Sequence, residues 1–409
     1  MLEKHFITKT YLGLALDPIH IGTGGYRFGR VDNTIVRDFD DVPKIPGTSI
    51  EGSARSYAAM RLNRLELCGG KDRAGKKCPE QNYRCRVCVS FGYTNSELVP
   101  EDKPKSLGGM AQFSDVKILF FPIASLVGPV WVSCPSKLRE IKVDETKWEE
   151  IKESEYCVLS DYLKEKLKNV GYLNFGWLML QFEKKDGDII THSIDKNTSF
   201  GQSGLTFEAR GLDRDEIFNR LVLVSDLVFP QIVNSNLEVR TSVSIDPETG
   251  AAESGALFTY EAIPRGTVFA FDIIYQNPDY FNVAHDIKQP TIVKTVEWGM
   301  GYFEFLGIGG MGTRGFGKLK VLGLDQTWSE RNLLEIEGKT IQNLKQELVK
   351  VQAEIEKKEK EEEKLKLRRK EEQLNKEISL RIENLKRKNS DLKELLDYST
   401  QLLEELKGG

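Results

Sequence analysis

From Lys339 to Lys407 the chain contains neither glycine nor proline, although it holds 35 glycines and 14 prolines in all. A stretch of that length without turn formers has one inexpensive conformation, the α-helix. Ile341, Leu344, Leu348, Val351 and Ile355 step by threes and fours, which is a heptad seam, and the seam resumes at Ile378, Ile382, Leu385, Leu392, Leu396 and Leu403. Between them, Glu356–Glu372 is almost wholly Lys, Arg and Glu. A long coiled coil or a helical hairpin is therefore expected over residues 327–409, acting as a docking or oligomerisation arm for a partner the sequence does not name. The rival is a helix folded back on its own head. This tail carries 19 basic and 19 acidic residues from Ser329 onward, so the formal charge of −4 belongs to residues 1–326. Bulk charge thus points to no polyanion, and a nucleic-acid site has to be a local patch.

Residues 1–326 read as an α+β domain. Phe6–Leu16, Ile118–Ile123, Val130–Ser133, Leu221–Val228 and Thr267–Ile274 have strand composition; Pro46–Leu65 and Ser160–Val170 have helical spacing, with Thr48 or Ser49 placed to cap the first helix. The mixture fits an antiparallel sheet better than a doubly wound one. A hairpin is expected over Leu237–Ile263. There Leu237, Val239, Val243 and Ile245 alternate with Glu238, Arg240, Ser242 and Ser244, ahead of the turn Asp246-Pro247-Glu248-Thr249-Gly250. It is either ordinary sheet or an arm reaching a partner. No apolar run reaches the roughly 18 residues of a membrane span, since Ile118–Val132 is broken by Pro122, Gly128 and Pro129. The N-terminus lacks an apolar segment behind a basic patch, so a cytoplasmic protein without membrane contact is expected.

Three sequence elements carry chemistry. Cys68, Cys78, Cys85 and Cys88 form C-x9-C-x6-C-x2-C in a polar loop, a set of four thiolates suited to a closed structural zinc site. Cys134 and Cys157 stand apart and read as packing thiols. Gly307–Lys318 is the densest glycine run, with Gly309, Gly310, Gly312 and Gly315 beside Arg314 and Lys318. Such backbone can approach a phosphate closely, yet a strand-like segment follows it rather than a helix, which excludes the dinucleotide-binding reading. Early in the chain come His20-Ile21-Gly22-Thr23-Gly24-Gly25, then Val31-Asp32-Asn33, then Pro46-Gly47-Thr48-Ser49 opening a helix with Arg55 one turn after Glu51. A helix N-terminus of that kind is a ready anion site.

In their order and spacing these elements resemble the RAMP superfamily of CRISPR proteins. The likeness is greatest to the multi-copy backbone subunit of type III effector complexes, and it spans roughly residues 5–325. Phe120–Leu126, Trp131–Pro135, Glu238–Thr241 and Gly255–Phe258 look like the Cmr-type version, while the cysteine pair ahead of Phe91-Gly92 is more similar to the Csm-type one. The resemblance implies a modified ferredoxin-like (RRM-like) core carrying a zinc-binding insertion over 68–92 and a thumb hairpin over 236–263. Copies would stack along a guide CRISPR RNA within a complex of other subunits, and a complementary target RNA would be cut beside Asp32 with Mg or Mn. His20, Thr48, Ser49, Arg55, Gly309, Gly310, Gly312, Arg314, Gly315 and Lys318 would hold RNA, and Arg240 and Glu261 would support the thumb or the chemistry. Glu51 and Ser242 and Ser244 depart from the basic residues common in the family. Tyr26 and Phe28 are candidate base-stacking residues. Rival readings are a non-catalytic guide-RNA scaffold with the same fold, a metal-independent guide-processing nuclease dependent on His20, and a purely structural adaptor.

Overall fold

A computed structural model describes residues 5–24, 31–69, 78, 81–94, 100–141, 156–182, 208–209, 212–324, 345–356 and 361–388. The chain divides into two compact units, Met1–Leu324 and Asp325–Gly409. Tyr26, Phe28, His192, Ile341, Leu344, Leu392, Leu396 and Leu403 lie outside the described residues.

The first unit is built on an 11-stranded sheet. Its path runs Leu319–Leu322, Phe6–Ala15, Val268–Gln276, Val116–Ser125, Gly128–Ser133, Leu221–Leu223, Tyr156–Leu159, Leu178–Phe182 and Tyr172–Phe175, with Lys44–Ile45 and Ala111–Phe113 paired off it. Pairing is antiparallel through the first half, where Phe6–Ala15 matches Val268–Gln276 residue for residue. Further out it becomes mixed: Leu221–Leu223 runs parallel to Gly128–Ser133, and Tyr156–Leu159 parallel to Leu178–Phe182. The all-antiparallel expectation is corrected on this point. The segment read as strand Leu221–Val228 is strand only to Leu223 and leads into the helix Phe229–Ser235, because Pro230 can sit in a first helical turn but not in a ladder.

Both faces of the sheet are buried, and the alternation of the strands shows why. Tyr11 and Ala15, Phe269 and Phe271, and Phe121 belong to one core cluster; Leu12, Leu14 and Leu16, Val268 and Ala270, and Phe120 belong to the other. Helices Gly47–Arg61 and Gln289–Gly301 share the first cluster through Ile50, Ala54, Ala58, Ile292 and Val296. They touch backbone to backbone: a Cβ on Gly299 would stand 2.1 Å from the Ala54 carbonyl oxygen. No other residue fits there.

The expected hairpin forms from Glu238–Ile245 and Ala252–Ala262, which make a two-stranded sheet of their own. Gly250 takes the left-handed φ of +67° that the turn requires, and the Asp246 carboxylate accepts from the Glu248 N–H at 2.8 Å. The root is buried at Ala262 and Ile263, whereas Val239, Val243, Ile245 and Leu257 are 41–62% exposed. The hairpin is therefore an arm and not a strand pair of the main sheet.

In the second unit, residues 345–356 and Glu361–Lys388 are helical. Gln352 bonds Glu371 at 2.8 Å and Lys370 pairs with Glu347 at 2.9 Å, so the two helices lie side by side. Val351, Leu374 and Ile378 are buried, while Leu365 is half exposed.

Candidate active site and nucleic-acid interface

The site begins where the early loop meets the hairpin. Ile19 and Ile263 exchange backbone bonds of 2.9 Å, Asn33 N–H donates to the Thr259 carbonyl at 3.0 Å, and Glu261 N–H donates to the Asn33 carbonyl at 3.0 Å. Residues 31–35 thus run beside the hairpin's return strand. Asp32 Oδ2 accepts from both the Thr259 N–H and the Thr259 hydroxyl at 2.8 Å, and the Asp32 N–H donates back to that hydroxyl oxygen at 2.8 Å. The Thr259 N–H, with its hydroxyl second, holds the Asp32 carboxyl below the usual carboxylate range. Among the described residues Asp32 has no ion-pair partner. It is a charged, half-buried carboxylate, not the half of an interior pair.

Glu261 has the opposite fate. It is 8% exposed, with one carboxylate oxygen 2.6 Å from the Arg37 guanidinium and the other accepting from the Ile35 N–H at 3.1 Å. Arg37 reaches on to Asn234 at 3.1 Å. Both Glu261 oxygens are thus engaged, clamping residues 35–37 to the arm. His20 is also buried, and its Nδ1 lies 2.7 Å from the Glu261 carbonyl oxygen. A carbonyl only accepts, so Nδ1 carries the proton. The ring sits edge-on to Tyr260 at 5.6 Å.

The glycine run closes against the same early loop. Gly310 N–H donates to the His20 carbonyl at 3.0 Å, Gly317 N–H to the Pro18 carbonyl at 2.8 Å, and Leu16 N–H to the Lys318 carbonyl at 2.8 Å. Gly309 has φ +74°, and a Cβ there would fall 2.3 Å from Ile21 Cδ1 and 2.6 Å from the His20 oxygen. From helix Gly47–Arg61, the Tyr57 hydroxyl donates to the Gly307 carbonyl at 2.7 Å. Arg240 lies over the Phe316 ring at 4.7 Å and reaches the Gly315 carbonyl at 3.5 Å, tying the arm to the loop. Three distant segments therefore hold one rim, on which Gly309, Gly310, Gly312, Arg314 and Gly315 face solvent. Arg314, Gly312 and Met311 line a cavity of about 690 Å³ with Tyr260, Phe305 and Leu306. Lys318 is less available, being 3.6 Å from Asp17.

At the start of helix Gly47–Arg61, neither Thr48 nor Ser49 caps. Pro46 holds the cap position, and the Gly47 N–H is taken by Asp115 at 2.8 Å from another strand connection, leaving Thr48 exposed and Ser49 half buried. Arg55 is turned inward. Its Nε donates to the Cys68 carbonyl at 2.9 Å and its Nη1 to the Phe91 carbonyl at 3.3 Å, so it braces the cysteine lobe instead of facing a phosphate. The roles of Thr259, Tyr57, Arg37 and Asp115 escaped the sequence reading. Only the alternation of the hairpin, which puts Thr259 opposite Thr241, carried a signal of any of them.

The four cysteines do converge. Their sulfurs lie within 4.8 Å of one another and all four residues are buried. Cys68 Sγ is 3.6, 3.9 and 3.8 Å from those of Cys78, Cys85 and Cys88. A tetrahedral ion with metal–sulfur bonds of about 2.3 Å sets its sulfurs about 3.8 Å apart, so the donor set fits such an ion. Asn82 Nδ2 donates to Cys88 Sγ at 3.4 Å and Arg64 to Cys85 Sγ at 3.9 Å, the N–H···S support expected around thiolate ligands. Cys134 and Cys157 are buried apart from this cluster, and burial pushes the Cys134 thiol up to about 12.

A protein-family model described as the RAMP superfamily matches residues 14–320. The chain is similar to the CRISPR system Cmr endoribonuclease Cmr4 of Pyrococcus furiosus, with 29% identity over 328 residues, 76% of this chain and 95% of that protein. It is also similar to the CRISPR system Cms endoribonuclease Csm3 of Methanothermobacter thermautotrophicus, 35% identical over 86 residues, which is 21% of this chain and 29% of that one. Among solved structures, a chain of the type III-B Cmr-beta complex in its apo state aligns over 78% of this chain and 98% of its own, at 15% identity and a TM-score of 0.49. No described helix is long and apolar enough to cross a membrane.

Proposed function

The chain belongs to the RAMP superfamily, and on that premise we propose that it is a Cmr-type backbone subunit of an RNA-guided CRISPR effector which cleaves target RNA. Its first unit would be a ferredoxin-like core that binds guide RNA, stacking with further copies of itself and with other subunits in the cytoplasm. The exposed rim of glycines 309–315 with Arg314 supplies N–H groups and one cation to guide phosphates, together with Thr48 and Ser49 at the helix start. The protein reads backbone and shape while base pairing reads sequence. The arm Glu238–Ala262, with Val243 and Leu257 exposed near its far end, wedges apolar side chains between stacked nucleotides and unstacks one. An unstacked nucleotide can bring its 2′-hydroxyl into line with its own phosphate.

Asp32 is the group that meets that phosphate. Its carboxylate is charged, half-buried and hydrogen-bonded to the arm that does the unstacking. A divalent ion, Mg or Mn, would be held there and would supply charge stabilisation to the phosphate under attack. The Cys68, Cys78, Cys85 and Cys88 cluster would hold structural zinc, bracing the helix through Arg55. The helical tail would dock a partner still to be identified. The observation that carries the reading is the Asp32–Thr259 junction on the arm, beside a glycine rim tied to the same loop. In the complex assembled on guide RNA, Asp32→Asn should reduce target cleavage by at least a hundredfold while guide and target binding stay within twofold. Cleavage at the wild-type rate would leave the scaffold reading in its place.

A further inference from the structure

An exposed aspartate on a loop ordinarily samples several side-chain rotamers, each pointing its charge elsewhere. Asp32 does not have that freedom. Two donors of one residue, the Thr259 N–H and hydroxyl, converge on Oδ2 at 2.8 Å, and the loop's own N–H returns to the same hydroxyl. Hydrogen bonds to a charged acceptor are the strong kind, and two on one oxygen fix the carboxylate plane as well as its position. Among the described residues no other side chain donates to Oδ1. Thr259 belongs to the return strand of the arm, where it faces Thr241 across the ladder; its chain neighbour Tyr260 points to the other side and lines the cavity with Arg314.

We propose that Thr259 is the positioning residue for the Asp32 carboxylate, so that the RNA-separating arm itself aims the group that acts on RNA. The inference rests on the catalytic reading of Asp32 given above. It makes the hydroxyl, and not the bulk, of residue 259 the property that matters. When the arm moves between stacked nucleotides, the carboxylate moves with it, because the junction of residues 31–35 with 259–261 is made by bonds from both segments.

The test uses the full-length chain assembled with its guide RNA and single-turnover cleavage of a complementary target. Thr259→Val keeps the branched shape that strands favour and removes the hydroxyl; Thr259→Ser keeps the hydroxyl and removes the methyl. Valine should slow cleavage about tenfold or more with guide and target binding within twofold, and serine should stay within threefold of wild type. Should the valine variant fail to assemble, Thr259→Ala removes the same hydroxyl and is read in its place. Valine at the wild-type rate, or serine as slow as valine, overturns the proposal provided Asp32→Asn is inactive. An active Asp32→Asn overturns the catalytic reading itself and is thereby distinguished from the other outcomes.

Discussion

Gly309 shows how narrow the tolerance of the rim is. Its left-handed backbone disfavours any side chain, and even a methyl would meet Ile21 at 2.3 Å and the His20 carbonyl at 2.6 Å. Gly309→Ala should lose about 2–3 kcal/mol from strain and displacement together. A lowered urea midpoint and guide binding weakened tenfold or more would register it, whereas Gly312→Ala, with open space and no positive φ, should leave stability nearly untouched. At this scale the sequence was most informative where a residue type has one main use: four cysteines, a glycine run, an aspartate beside a turn. It was least informative for arginine. Arg55 follows a helix start that suggests a phosphate contact, but a guanidinium serves two backbone carbonyls as readily as a phosphate, and Cys68 and Phe91 become its neighbours only after folding. The clamp of Glu261 was hidden for the same reason, its partner Arg37 being 224 positions away in sequence.

Among the elements, the hairpin was legible to within a residue or two because alternation and turn chemistry are local. The cap of helix Gly47–Arg61 was not, since Asp115 comes from a separate segment. Asp115 also pairs with Lys44 at 2.7 Å. Burial alone would raise its pKa, but the Lys44 bond and the Gly47 N–H outweigh burial and hold it below the usual carboxylate range. A depressed carboxylate contributes stability that is present above the unfolded-state value of about 3.9 and is lost as pH falls through the lower folded value. Asp115→Asn keeps an oxygen for the Gly47 N–H and loses the charge facing Lys44, so it should cost up to about 1 kcal/mol at pH 7, the range of a partly exposed ion pair. The difference from wild type should shrink below about pH 3, as urea unfolding at the two pH values would show. The parallel pairings at the far side of the sheet were also hidden, because periodicity gives which residues face inward and says nothing of strand direction.

For the whole first unit, the cysteine cluster is a brace between elements rather than a core of its own. Arg55 links it to the helix that carries Tyr57, and Tyr57 holds Gly307 at the mouth of the rim. Cys88→Ser should bring bound zinc, measured by elemental analysis, from one ion per chain to less than half. It should also lower Tm by roughly 5–10 °C, on the order of 3 kcal/mol for a unit of this size. A variant with unchanged metal content and Tm would show that the four thiols hold no ion. Residues 345–356 and 361–388 of the tail were legible as helix from the absence of turn residues alone, and their side-by-side arrangement follows from pairs such as Lys370 with Glu347.

The bond from Tyr57 to Gly307 joins residues 250 positions apart. A growing polypeptide has emerged from the ribosome almost to the end of the first unit before that closure becomes available, and Gly317 and Lys318 must follow to complete it. Nascent or prematurely terminated chains accordingly lack the closed rim, so under the proposed function RNA loading would wait until synthesis of the unit is finished.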